Sequence, residues 1–477
     1  MEFWEYLHQP WLYATLSATY FLSIVTVIVV ILGENRNPVK SLAWVTILIL
    51  IPALGLILYF FFGRNIKNKR MISRRNKRRL RRSVQLPPEF RKPTNISPKA
   101  EQLAKLSASL SECPYCSGNS VEIFTNGTDK FASLIRDIES ATESINLQYY
   151  IFENDEIGCK IAELLKEKAR NGVKVRVIYD HVGSFHVRSH FFNDMREAGV
   201  EAHPFFKVAF IPLASRVNWR NHRKMVIIDS KIGYIGGMNI AKRYIDGGEN
   251  FNLWRDCHLR VEGPAIAALH YSFARDWNFM GMELLEEAQP VKATGNIGLQ
   301  VVTGGPMSQW NTIAQIFLTA IASACKRVWI QTPYFLPPDH LIRALQNAAL
   351  GGVDVRIMIP RRSDSRLLGY ASRSYFTECM QAGIKFYMFE AGMLHSKVMI
   401  IDDDMATVGS ANFDFRSFEH NFEGNLMIYS AEFNNRLREV FLKDQKNSIR
   451  MHSDTWKMRP LKQKMFESVL RLLSPIL

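Results

Sequence analysis

Two stretches of the chain carry no charge at all. They run from Trp11 to Leu32 and from Ser41 to Phe62, 22 residues each. About 20 apolar residues cross the hydrocarbon core of a bilayer, so the pattern predicts two membrane spans over about 11–32 and 41–62. The intervening Gly33 to Lys40 is long enough only for a hairpin turn. A cleaved leader does not fit, because the first ten residues hold Glu2 and Glu5 and no Lys or Arg. A buried helix pair fits less well, since 22 uncharged residues exceed an ordinary core helix.

After the apolar segments the pattern changes twice. Residues 64–118 read as a basic juxtamembrane linker with a short helix near Ala100–Leu110. From about residue 119, strand-like runs alternate with amphipathic helical runs, and the series occurs twice. Ser144–Phe152 parallels Arg327–Phe335, and Gly172–Ile178 parallels Gly352–Met358. Strands alternating with helices predict an α/β fold. A repeat of this length predicts a duplicated domain, with halves at 119–290 and 291–477. Each half would hold a mixed sheet flanked by helices, the two meeting about a pseudo-twofold axis behind a transmembrane hairpin.

Charge sharpens the membrane reading. Of the net +15, eleven basic residues fall between Arg64 and Arg82 with no acid among them. Positive residues flanking a span stay inside, which predicts a multi-pass protein of the cell membrane with a cytoplasmic soluble region. Such a run attracts anionic lipid headgroups; nucleic-acid binding is the alternative and the less favoured one. Six cysteines are too few for a disulfide framework. Cys113-Pro114-Tyr115-Cys116 lacks a second pair or nearby histidines for zinc, and reads as an unremarkable loop pair rather than a redox or metal site.

One motif occurs in both halves. His222-Arg223-Lys224 leads to Asp229, and His395-Ser396-Lys397 leads to Asp402, each an H-x-K-x4-D. Ten residues beyond each Asp comes an Asn, Asn239 after Gly236-Gly237 and Asn412 after Gly409-Ser410. The apolar residues 225–228 and 398–401 predict buried strands. Alternation along a strand places His222 with Lys224, and His395 with Lys397, on one side. Asp229 and Asp402 complete the catalytic motifs with His222, Lys224, His395 and Lys397, but they fall on the other parity and are expected to serve them structurally, bonding backbone or Lys. Two His, two Lys and two Asn suit a phosphodiester: one neutral His attacks phosphorus, the other delivers a proton to the leaving oxygen. The Lys and Asn groups would stabilise the charge on the phosphoryl oxygens. Each His needs a partner to fix its tautomer; Asp256 and Glu423, which follow the two motifs, are the candidates. No metal-ligand spacing appears, and a Lys beside each His would repel a cation.

The paired motifs resemble the phospholipase D superfamily. The apolar hairpin, the Arg-rich exit, Trp254-Arg255-Asp256 and Gly409-Ser410-Ala411-Asn412-Phe413-Asp414 are similar to the bacterial cardiolipin synthase branch. The resemblance implies phosphatidyl transfer from one phosphatidylglycerol to another through a phospho-histidine, releasing glycerol. It implies His222 as nucleophile and His395 as acid and base, with no cofactor or metal. Lipid hydrolysis, a membrane-bound nuclease or a non-catalytic scaffold are the rival readings. No nucleic-acid partner is expected, and self-association into a homo-oligomer is compatible with the sequence. Two further features have lipid readings: Pro204–Leu213 as a membrane-dipping lip, and the amphipathic Lys464–Leu473. A core strand and a helix packed on the domain are the alternatives.

Overall fold

The structure is a computed structural model that describes residues 10–33, 38–59, 63, 70–83, 86–93, 96–207, 219–285, 292–472 and 474. The chain divides into a small N-terminal unit and a large unit.

In the small unit, Pro10–Gly33 is one helix, and its part from Tyr13 to Gly33 is long and apolar enough to cross a membrane. The second predicted span differs from expectation. It is broken into helices Pro38–Leu50 and Pro52–Leu58, with Ile51 out of helical conformation between them. Pro52 is the cause: it has no N–H to donate, and its ring collides with the carbonyl four residues back. Thirteen residues of helix reach only about 20 Å, short of a bilayer core. At Gly55 an added Cβ would lie 3.0 Å from the Ile47 carbonyl oxygen, so the second piece turns back against the first. Ile31, Leu48 and Tyr59 pack together inside this unit.

The large unit is built on a 15-stranded mixed sheet. Its first half runs, in spatial order, Cys116–Phe124, His258–Glu262, Ile232–Gly236, Met225–Ile228, Ser144–Tyr149, Lys174–Asp180, Glu201–Phe205. The second half repeats this order from Ile297–Gly304 through Glu423–Tyr429, Met405–Gly409, Val398–Ile401, Arg327–Gln331 and Asp354–Pro360 to Lys385–Phe389, with Ser448–Arg450 added at the edge. Antiparallel pairing of Cys116–Phe124 with Ile297–Gly304 joins the halves into one sheet. The motif strands Met225–Ile228 and Val398–Ile401 are wholly buried, as their apolar runs require. Each such side chain contributes about 1.5–3 kcal/mol by leaving water.

The stretch expected to be a linker is largely structured and docked. Helix Pro98–Ser111, capped by Ser97, buries Ala100, Leu103 and Ala104 in the second half's core. The basic run forms helix Arg74–Ser83, whose Leu80 is fully buried. Asn76 Nδ2 donates to Asn278 Oδ1 at 3.0 Å, and Lys77 pairs with Glu112. The helix therefore keeps one face on the domain and its remaining arginines outward. Cys113 and Cys116 are buried free thiols at the join between the halves, and burial pushes the Cys113 thiol up to about 12. Of Pro204–Leu213, residues 208–213 lie outside the described residues. Phe205 is buried with its ring 5.3 Å from that of Phe422, a core contact between halves.

Candidate active site

Each motif begins three residues before its strand enters the sheet, and each lead-in is laced to the other half. The His222 amide donates to the Phe422 carbonyl at 2.9 Å, and the Phe422 amide to that of Arg220 at 2.8 Å. In the mirrored position the His395 amide donates to the Arg255 carbonyl at 2.7 Å, and Met393–Leu394 pairs in parallel with Trp254–Arg255. The residue after each acceptor is a carboxylate. This backbone lacing sets the side-chain pairing. His222 Nδ1 lies 2.9 and 3.0 Å from the Glu423 carboxylate oxygens, and His395 Nδ1 lies 2.7 Å from Asp256 Oδ2. Each histidine is thus held by a carboxylate from the opposite half.

A carboxylate only accepts, so Nδ1 carries the proton on both rings and Nε2 is left with its lone pair. Both rings line one cavity of about 890 Å³, together with Tyr150, Asn239, Tyr244, Trp254, Asn412 and Asp414. Burial holds the His222 imidazole down at about 4 and pushes His395 below its usual value, the latter helped by Lys397. Burial alone would raise Glu423, but the His222 and Lys224 charges beside it hold it below the ordinary carboxylate range. Ser410 Oγ donates to Glu423 Oε2 at 2.5 Å and fixes its other face.

The two halves differ in detail. Lys224 Nζ donates to the His222 carbonyl at 2.7 Å. Lys397 Nζ donates to the His395 carbonyl and stands 2.7 Å from His395 Nδ1 and 3.9 Å from Asp256 Oδ2. Burial lowers both lysines. Where the second half has Ser410, the first has Gly237, and a Cβ there would fall 2.1 Å from Asp256 Oδ1. Only glycine lets Asp256 reach its place. Asn239 faces the cavity but is already engaged, accepting from the Ile151 amide at 3.1 Å and donating to the Tyr244 hydroxyl at 2.7 Å. One of its two amide protons stays available. Asn412 also faces the cavity, and its Oδ1 finds no hydrogen-bond partner among the described residues.

Asp229 and Asp402 stand apart from the rings. Asp229 accepts from the amides of Thr142, Glu143 and Ser144 at 2.8–2.9 Å and from the Thr142 hydroxyl at 3.0 Å. Asp402 accepts from the amides of Cys325, Lys326 and Arg327 and pairs with Lys99. Both sit at positive φ, 49° and 50°. Burial would raise each, but the ring of donors outweighs it and lowers both. They clamp the start of the neighbouring strand in each half.

Several residues of the centre were not picked out from sequence. Arg223 donates to Asp276, to the Glu423 carbonyl at 3.0 Å and to the Gly304 carbonyl at 3.1 Å, anchoring the segment that carries Glu423. Arg255 pairs with Asp444 at 2.8 Å and steadies the segment that carries Asp256. Gln148 Nε2 donates to Asp276 at 2.7 Å and Gln331 Nε2 to Asp444 at 2.8 Å. The repeat itself held this signal, since the two glutamines are equivalent in the paralleled strands.

The geometry has counterparts among known proteins. The family model described as cardiolipin synthase, PLD-like domain matches residues 134–277 and 317–445, and one described as phospholipase D-nuclease N-terminal matches 21–64. A cardiolipin synthase of Geobacillus thermodenitrificans (strain NG80-2) is 38% identical over 467 residues, covering 95% of this chain and 92% of that protein. The chain belongs to the cardiolipin synthase family. The major cardiolipin synthase of Bacillus subtilis (strain 168) is also 38% identical, with 97% of this chain and 98% of that protein covered. The family's fold extends to the crystal structure of phosphatidylserine synthase from Haemophilus influenzae Rd KW20, with a TM-score of 0.61 at 14% identity, over 79% of this chain and 98% of that one.

Proposed function

We propose that this chain joins two phosphatidylglycerol molecules into cardiolipin and free glycerol, with His222 as nucleophile and His395 as acid and base. The observation that carries the reading is the crossed pairing: two imidazoles, each held at Nδ1 by a carboxylate of the opposite half, facing one cavity. Burial disfavours the protonated form of His222, which leaves its Nε2 lone pair free to attack.

In the first step Nε2 of His222 bonds to phosphorus as the bond to the glycerol oxygen breaks, and His395, which takes up a second proton on Nε2 with the Asp256 carboxylate as its counter-charge, gives that oxygen its proton. The cationic ring that results is stabilised by Glu423. In the second step a hydroxyl of another phosphatidylglycerol attacks phosphorus. His395 takes its proton, and the P–N bond breaks. Lys224 and Lys397, lowered by burial, gain a counter-charge from the phosphoryl group and stabilise its oxygens. One proton each from Asn239 and Asn412 adds to them.

An apolar helix of membrane-spanning length suits an enzyme whose substrates are lipids. Helix Tyr13–Gly33 anchors the chain in the bilayer, and the basic residues that follow the apolar segments favour the cytoplasmic side for the large unit.

The test is a lipid assay. Purified chain is added to phosphatidylglycerol vesicles with excess chelator, and products are read by mass spectrometry. Cardiolipin and glycerol in equal amounts are expected. Phosphatidic acid without cardiolipin would make the enzyme a hydrolase, and cleavage of nucleic acid without lipid turnover would make it a nuclease.

A further inference from the structure

The pseudo-twofold symmetry of the centre breaks at one side of the cavity. Strands Lys174–Asp180 and Asp354–Pro360 are equivalent, the one parallel to Ser144–Tyr149 and the other to Arg327–Gln331. After the first, the chain reads His181-Val182-Gly183-Ser184-Phe185-His186, and none of these residues lines the reaction cavity. After the second it reads Arg361-Arg362-Ser363-Asp364-Ser365-Arg366, which does line it, and Arg373 joins from the helix that follows.

The cations of this loop differ in occupation. Arg361 is taken by Glu390. Arg373 Nη2 donates to the Arg361 carbonyl at 3.1 Å and ties the helix to the loop. Asp364, the acid among them, accepts from the Tyr334 hydroxyl at 2.7 Å and lies close enough to raise His395 and Lys397 by its charge. The loop therefore borders the catalytic centre. Arg362 lies 5.6 Å from the Phe251 ring, and neither it nor Arg366 has a carboxylate partner among the described residues.

On the outer side of the same helix the surface turns apolar. Leu367 is half exposed, and Tyr370 packs 5.4 Å from Phe466 of helix Leu461–Leu472. That helix shows Met465 and Val469 to solvent on one face. Arg362 and Arg366 thus line the reaction cavity beside Tyr370, through which the cavity wall meets an apolar surface suited to acyl chains. Arg supplies planar, paired donors that match a phosphate.

We infer that Arg362 and Arg366 form a second phosphate subsite, which binds the non-reacting phosphodiester of the acceptor lipid while its terminal hydroxyl reaches the phospho-histidine. The inference rests on the function proposed above and deepens it. The symmetric centre handles the phosphoryl group being transferred; the one-sided loop makes the enzyme select an anionic phospholipid as acceptor.

The experiment compares two fates of the phosphatidyl-enzyme in the full chain. One is transfer to phosphatidylglycerol in vesicles. The other is exchange with labelled free glycerol, which shares the covalent step and brings no second phosphate. For the double variant R362Q/R366Q, the ratio of lipid transfer to glycerol exchange should fall about tenfold or more, as two charge-assisted contacts are lost. The drop should appear as a raised KM for acceptor lipid, and R362K/R366K should recover part of it. An unchanged ratio, whether both rates fall together or neither falls, would overturn the subsite. Soluble glycerol phosphate accepting as well as the lipid would overturn its assignment to a phospholipid. A wild-type chain with neither exchange nor transfer would overturn the proposed function itself.

Discussion

Replacing Glu423 by Gln keeps the shape of the side chain and removes its charge. In the wild-type chain the carboxylate lies 2.9 and 3.0 Å from His222 Nδ1, fully buried. When Nε2 bonds to phosphorus the ring becomes cationic, and the carboxylate stabilises it. Charge centres about 4 Å apart at an effective dielectric of about 20 interact by about 4 kcal/mol. A neutral Gln hydrogen bond recovers roughly 1 kcal/mol. The net loss of about 3 kcal/mol predicts a roughly 150-fold slower formation of the phosphatidyl-enzyme. Rapid-quench measurement of the first glycerol released reads that step. A second donor, phosphatidyl-p-nitrophenol, separates the two histidines, because its leaving group departs without a proton. E423Q should be slow with both donors. D256N, which disturbs His395, should be slow with phosphatidylglycerol and return to within about threefold of wild type with the nitrophenyl donor. Rescue of E423Q and not of D256N would exchange the roles of the rings. Rescue of both would refute charge stabilisation of an attacking imidazole.

Three other outcomes follow from the geometry. Asp229→Asn and Asp402→Asn each remove an acceptor from a cluster of backbone donors, so each should cost about 2–4 kcal/mol in thermal unfolding while activity per folded molecule is retained. Both carboxylates are depressed, so the stability they contribute is present above their unfolded value and fades as pH falls through the lower folded one. His222 is depressed as well: folding disfavours its protonation, so stability falls as pH drops from its unfolded value near 6.5 to about 4, by about 3 kcal/mol in all. Melting curves of wild type and His222→Gln across that range should converge at low pH, and parallel curves would contradict the burial. Gly237→Ser should displace Asp256 and reduce turnover about a hundredfold, whereas Ser410→Ala loses one hydrogen bond to Glu423 and should stay within about tenfold.

The α/β duplication was legible because strand and helix periods recur at matched spacing in both halves. The buried motif strands were legible from four-residue apolar runs. The placing of Asp229 and Asp402 away from the rings followed from side-chain parity, although the backbone donors that surround them come from segments 75–87 residues away, and Lys99 from 303 away, and leave no local mark. The break in the second apolar segment was written in Pro52, yet composition counts residues and does not see a missing donor. The basic run looked like a free linker because charge dominates it; the anchors are Ile72, just before the helix, and Leu80 within it. Asp256 and Glu423 were identifiable as partners, but their choice of ring was not. Each lies downstream of one motif in sequence and beside the other in space.

That crossing has a consequence for how the site can exist. Within one half, the histidine and lysine are present but the carboxylate that orients the histidine is not. Glu423 in turn is fully buried, and a buried carboxylate without its cationic and hydrogen-bonding partners carries a large desolvation cost. His222 and Lys224 reach it from the first half and Ser410 from its own, while Arg223 holds the Glu423 backbone carbonyl. Asp256 depends in the same way on His395 and Lys397. Separating the halves would thus strand two buried acids as well as two untethered rings. The same contacts that assemble the chemistry hold the halves together, and neither half can be loosened without loss of both. A chain carrying the two motifs in tandem satisfies this requirement by covalent linkage. Its two copies are then free to diverge where symmetry is not needed, as at Gly237 and Ser410 and along the arginine loop after Pro360.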